Sequence, residues 1–231
     1  MSPLKFLRRH WHDIGVGSAV IAGAYLVLGW NEIGMLQRLL ILSFIVVLLH
    51  QFEEYSWPGG FPAVANAVLF SSPTPDRYPL NQNSSMAANV TFAYGFYLVP
   101  VFFPNVIWLG LSTFIVGAVL QVIGHAFIVN YRIRSLYSPG VATAVFGWLP
   151  LGAMYLYYIR EHGLVNGRVW LAAIGFTVVA TGFIFGVIEM VLLGDKNSAH
   201  PFDPDEMKRF DIEGKLARTR RQIAPRPEAG K

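Results

Sequence analysis

The chain has no cysteine, and only 14% of its 231 residues are charged. Without cysteine there is no disulfide, no thiolate metal ligand and no thiol nucleophile. Soluble domains carry roughly 25% charged residues, so the shortage of charge argues against a soluble globular chain. What takes its place is 54% hydrophobic residues and a positive mean hydropathy of 0.44. The sequence also lacks a Walker loop, a dinucleotide glycine fingerprint, a coiled-coil heptad and an internal repeat. Its net charge of +4 comes from short basic flanks, which speaks for membrane topology and against a nucleic-acid partner.

The apolar material falls into six runs, at about 14–31, 35–57, 86–103, 105–129, 139–159 and 169–194. Each approaches the roughly 20 residues that a membrane helix needs. The basic start "MSPLKFLRRHWHD" leads into a run without a small-residue cleavage site, so it reads as a retained first helix and not a signal peptide. "WPGGFP" stops the second run, Ser138 and Pro139 read as the N-cap and first residue of the fifth helix, and Pro150 as a kink within it. The piece "FPAVANAVLF" is too short to span and reads as interfacial or re-entrant, near 61–70. The expectation is an all-α, polytopic membrane bundle over 1–194 with a polar tail over 195–231, of which "ARTRRQIAPRPEAGK" reads as solvated. Lys5, Arg8, Arg9, Arg132, Arg134 and the nine Lys and Arg of the tail fall on one side. The positive-inside rule makes that side, and both termini, cytoplasmic in a cell (bacterial inner) membrane.

In that topology the polar intramembrane residues gather in one leaflet: His50, Glu53 and Glu54, then Asn89, Gln121, His125 and Glu189. Ionisable groups at such depth are costly and usually functional. Two adjacent carboxylates also repel, so a proton, an arginine or a metal must neutralise them. Helical spacing places His50, Glu53 and Glu54 within about 100° of arc. His-X-X-Glu-Glu is close to the inverted zinc motif H-x-x-E-H. His50, His125 and one glutamate, with Glu54 taken as the ligand, can therefore hold a divalent ion, and the other glutamate of the pair can serve as general base. Which glutamate is which stays open at this level. Flanking His10, His12, His162 and His200 need no role.

"HQFEEYSWPGGFP" followed by "GHAFIVNYRIRSLYSPGVATAV" resembles the HXXEE domain family of integral membrane proteins, over about residues 30 to 190. The resemblance implies a membrane-embedded enzyme. It matches His50, Glu53 and Glu54 to the naming motif and His125 to a second family histidine. Gln121 stands where the family pattern Asn-X-X-X-His has asparagine, and Arg134 corresponds to a family arginine. The reading that follows is a metal-dependent hydrolase, zinc favoured and iron possible. It acts on a lipid or other amphiphile at the cytoplasmic leaflet, with Glu53 and Glu54 catalytic. Asn89, Gln121, Arg134 and Glu189 contact the substrate, and the 58–85 loop caps the site. Two rivals stand beside it: an iron or di-iron oxidoreductase on a lipid chain, and a proton-coupled transporter that uses the glutamate pair. The transporter expects polar residues along the whole depth and an inverted repeat, which the sequence does not show.

Overall fold

The computed structural model describes residues 2–212, 214 and 215. All the regular structure among them is helical: α1 (Pro3–Leu28), α2 (Met35–Tyr55), a short α3 (61–69), α4 (Gln82–Phe102), α5 (Ile107–Ile133), α6 (143–161), α7 (Gly167–Leu192) and a short α8 (Pro204–Lys208). Five of these, α1, α2, α4, α5 and α7, are long and apolar enough to cross a membrane. The expected fifth span is also a helix, α6. Trp148, Pro150, Tyr155, Tyr157 and Tyr158 hold its hydropathy below that of the others, so the count by this measure is five and not six. The N-terminal basic flank proves helical, since α1 begins at Pro3 behind a Ser2 cap.

α2 is the centre of the bundle. It is apolar on every side, and a helix of that kind is buried. Leu39, Leu40, Ile41, Phe44, Val47 and Leu48 are all within the core. α1, α4 and α6 pack around it, and α5 and α7 close the far side. Trp148 of α6 fills the middle: it is fully buried, and its indole N–H donates to Ser43 Oγ at 3.1 Å. Gly117 makes the room, because a Cβ there would lie 2.5 Å from the Trp148 ring. Small residues at such crossings let membrane helices approach closely.

α4 to α7 each contain a stretch in which backbone N–H groups reach back five residues and not four. Examples are Leu98 N to Ala93 O (3.0 Å) and Leu193 N to Ile188 O (3.1 Å). Wide turns of this type are rare and collect at functional sites. In α6 the wide turn ends at Trp148 and ordinary turns resume at Leu149, so Pro150 marks a change of ladder.

Residues 195–212, the first part of the polar tail, fold back onto one end of the bundle. Phe202 and Ile212 are buried. Phe202 N donates to Asp76 O (2.8 Å), and Gln82 Nε2 donates to Glu206 (2.7 Å). Arg9 holds Asp203 and Asp205, and Arg209 donates to the carbonyl of Tyr55. Expected polar flanks thus become contacts, and His12 is buried against Tyr55. The basic stretch 216–231 lies outside the described residues.

The Trp148 slot makes a direct prediction. Trp148→Ala should cost about 3–5 kcal/mol, while Phe146→Ala, at a side chain 81% exposed, should stay within about 0.5 kcal/mol. Chemical unfolding of the detergent-solubilised protein measures both, and equal losses would contradict the packing described.

Candidate metal centre and adjoining cavity

His50, Glu53 and Glu54 lie in the last two turns of α2, and all three are buried. Successive residues on a helix point about 100° apart, and the two glutamates go to different partners. Glu54 shares the His50 face: its Oε1 lies 3.5 Å from His50 Nε2. His125, in the last turns of α5, places Nε2 3.3 Å from the same oxygen. The two imidazoles stand 5.0 Å apart, nearly perpendicular at 86°. His50, Glu54 and His125 each offer one ligand atom, all within 4.8 Å of one another.

Glu53 points toward the start of α6. Its carboxylate accepts from Ala142 N (3.0 Å), Thr143 N (2.8 Å), Thr143 Oγ1 (2.6 Å) and the Tyr137 hydroxyl (2.9 Å). The first amides of a helix lack internal partners and carry partial positive charge, so Glu53 caps α6 from another helix. Burial first, and then the Glu53 charge, raise the Tyr137 phenol well above its ordinary pKa, which keeps it a donor. The expected cap, Ser138, has a different partner, as its hydroxyl donates to His125 O (3.3 Å). Pro139 is likewise not helical, because Gly140 takes φ +98° and breaks the chain there before α6 begins.

These bonds also fix His50. Thr143 has a single hydroxyl hydrogen, and Glu53 receives it at 2.6 Å. The Thr143 oxygen therefore accepts from His50 Nδ1–H at 2.9 Å. This network assigns the proton to Nδ1 and leaves the Nε2 lone pair facing Glu54. There Nε2 is buried with no hydrogen-bond partner among the described residues. Fixing a histidine through its other nitrogen is how proteins commonly orient a metal ligand. The two distances from Glu54 Oε1 to the imidazole Nε2 atoms, 3.5 and 3.3 Å, also match the roughly 3.3–3.6 Å that a tetrahedral ion bound at about 2.0–2.2 Å sets between its ligands. Two imidazoles and one carboxylate suit zinc or iron. Phe61 of α3, its ring 5.3 Å from that of His125, covers the cluster.

Beside Glu54 lies a cavity of about 270 Å³. Asn89, Gln121 and Glu189 line it together with Glu54, so four residues named from sequence meet in one space. The Asn89 amide is largely committed, donating to Ser85 O (2.9 Å) and the Tyr55 hydroxyl (3.3 Å). Arg134 does not reach this cavity. It ends α5 with φ +49° and lines a separate surface groove with Arg132 and Ser135. Sequence reasoning missed Tyr137, Thr143 and Gly140. The quoted "YSPG" turn was the available signal, since it starts at Tyr137 and delivers the other two.

Residues 41–155 match a family model described as "Protein of unknown function with HXXEE motif". The match is narrower than the resemblance over 30 to 190, so α7 and Glu189 fall outside it. None of the curated proteins and none of the solved structures matches the chain.

Gly140 is the most exacting backbone position of the site. A Cβ there would lie 2.6 Å from His125 Cε1 and 2.8 Å from His50 Cε1. Gly163 also has positive φ (+62°) but nothing within 4 Å. Gly163→Ala should cost about 1 kcal/mol, the backbone penalty alone. Gly140→Ala should cost about 2–4 kcal/mol, adding the collision with both rings. Thermal unfolding of the two variants separates strain from contact, and equal shifts would remove Gly140 from the site.

Proposed function

Because residues 41–155 form an HXXEE domain set in apolar helices, we propose that the protein is a metal-dependent membrane enzyme, a hydrolase acting on a lipid or other amphiphilic molecule. One observation carries this reading: His50, Glu54 and His125 converge on a common point, buried beside a cavity. Zinc is the favoured ion, since three protein ligands leave a fourth tetrahedral position for water or substrate. A bound ion of this kind polarises a carbonyl and lowers the pKa of its water.

The roles within the pair follow from the hydrogen bonds. Glu54 is a ligand and brings the negative charge that a divalent ion requires. Glu53, with four donors on its two oxygens, has no capacity left to act as general base. It positions His50 through Thr143 instead. Gln121 and Glu189 face the cavity as substrate contacts. Charge bias puts the site in the cytoplasmic leaflet of the inner membrane in this reading. An iron oxidoreductase differs in the ion held, and a transporter in holding none.

Mass spectrometry of the purified full chain, loaded with zinc or iron(II), tests the proposal. About one zinc per chain is expected in wild type, with loss in His50→Ala, His125→Ala and Glu54→Gln. Glu53→Gln should keep the ion at saturation and weaken its affinity about 10–100-fold. Wild-type protein that takes up neither metal would overturn the reading, and iron in preference to zinc would move it to the oxidoreductase.

A further inference from the structure

The polar lining of the cavity beside Glu54 holds two acids and no base, and its other polar groups are neutral. Glu54 and Glu189 supply carboxylates, Asn89 and Gln121 supply amides, and no Lys or Arg lines it among the described residues. Arg134, expected from the sequence to contact the substrate, lines the other groove with Arg132. α7 ends at Leu192, so its carbonyl end points a negative dipole at this region, whereas the end of α2 at Tyr55 is met by Arg209.

Glu189 is the unexplained member. It is 5% exposed, and the nearest donor to its carboxylate is the Ser85 hydroxyl at 3.5 Å, the limit of a hydrogen bond. Gln121 makes no side-chain hydrogen bond among the described residues. A buried carboxyl group needs a proton, a donor or a cation, and the lining supplies no cation and no donor at close range. The remaining walls are apolar, and Phe70 and Met190 are half exposed, which opens the cavity toward the surface of the bundle. At about 270 Å³ the space is just below the usual ligand range of ~300–1,000 Å³. It admits a short chain or one end of a longer one.

Building on the hydrolase reading of this same site, we propose that the cavity takes an apolar molecule with a nitrogen head, an alkyl amine or amide, and that Glu189 receives its N–H. An amine supplies the cation that the lining lacks, arriving charged or taking the Glu189 proton to become so. An amide offers an N–H to Glu189 while its carbonyl stays free to face the Glu54 side. A phosphate, sulfate or carboxylate head meets Glu189 with like charge.

The test uses the full chain in nanodiscs, with empty nanodiscs as the partition blank, and three eight-carbon probes: octylamine, octanamide and octyl phosphate. Octylamine and octanamide should bind saturably and more tightly than octyl phosphate. Glu189→Gln should weaken octylamine about 30-fold or more with metal content unchanged, and Glu189→Asp should restore part of the affinity. Octyl phosphate binding as tightly as octylamine, or octylamine binding unaffected by Glu189→Gln, would overturn the proposal. The same titrations on metal-free protein keep the two readings apart. Octylamine selectivity depends on Glu189 and should persist there, whereas failure of the metal reading appears in metal content alone.

Discussion

Everything at the polar end of this bundle follows from one constraint: a carboxylate inside an apolar helix has to be compensated within the protein, because the hydrocarbon around it offers nothing. Glu53 and Glu54 make the demand twice in succession. The helical step between them turns the two side chains apart, and each meets a different answer. Glu53 finds the open amides of α6 and the hydroxyls of Thr143 and Tyr137. Glu54 finds two imidazoles. The adjacency that looks repulsive in the sequence is a branching of two networks, one that builds the fold and one that builds the site.

The branching ties site and fold together. The bonds that start α6 also orient His50, and the same helix sends Trp148 into the core, its ring 4.9 Å from that of His50. Residues 195–212 close this end from outside. Arg209 contacts the carbonyl of Tyr55, the last residue of α2, and Gly59 and Gly60 adopt positive φ directly beneath it. A ligand cluster at the end of a helix would ordinarily be where the bundle frays. Here that end is held from α1, α3, α8 and the start of α6.

Much of this was legible in the sequence because the signals were local. Low charge and long apolar runs give the membrane class, and the i, i+4 spacing gives the shared face of His50 and Glu54. His125, Asn89, Gln121 and Glu189 stood out as polar residues in apolar runs, and the last three line the cavity with Glu54. What was not legible depended on partners distant in the chain. Nothing in HQFEE says that Glu53 will cap a helix starting some ninety residues later, so the two glutamates could not be told apart. Ser138 and Pro139 read as a helix start because the local pattern fits one, and Gly140, with both imidazoles against it, overrules that pattern. Arg134 carried the right charge for a head group but is turned into another groove by the left-handed residue that ends α5. The packing of 195–212 was hidden because its anchors, Phe202 and Ile212, are isolated apolar residues in a polar stretch.

The two histidines are chemically unequal, and the inequality lies in their far nitrogens. His50 Nδ1 donates into a chain that ends on a carboxylate, which fixes the ring and leaves Nε2 free to face Glu54. His125 Nδ1 is buried without a hydrogen-bond partner among the described residues, and its ring is held by contact with Gly140 and Phe61. His50 and Glu54 also share one helix, so they form a ready-made two-point claw, and His125 faces it from a different helix. The site thus has a firm jaw and a softer one. An ion held here would take two of its ligands from α2 and one from α5, so its affinity would depend on how these two helices are set against each other.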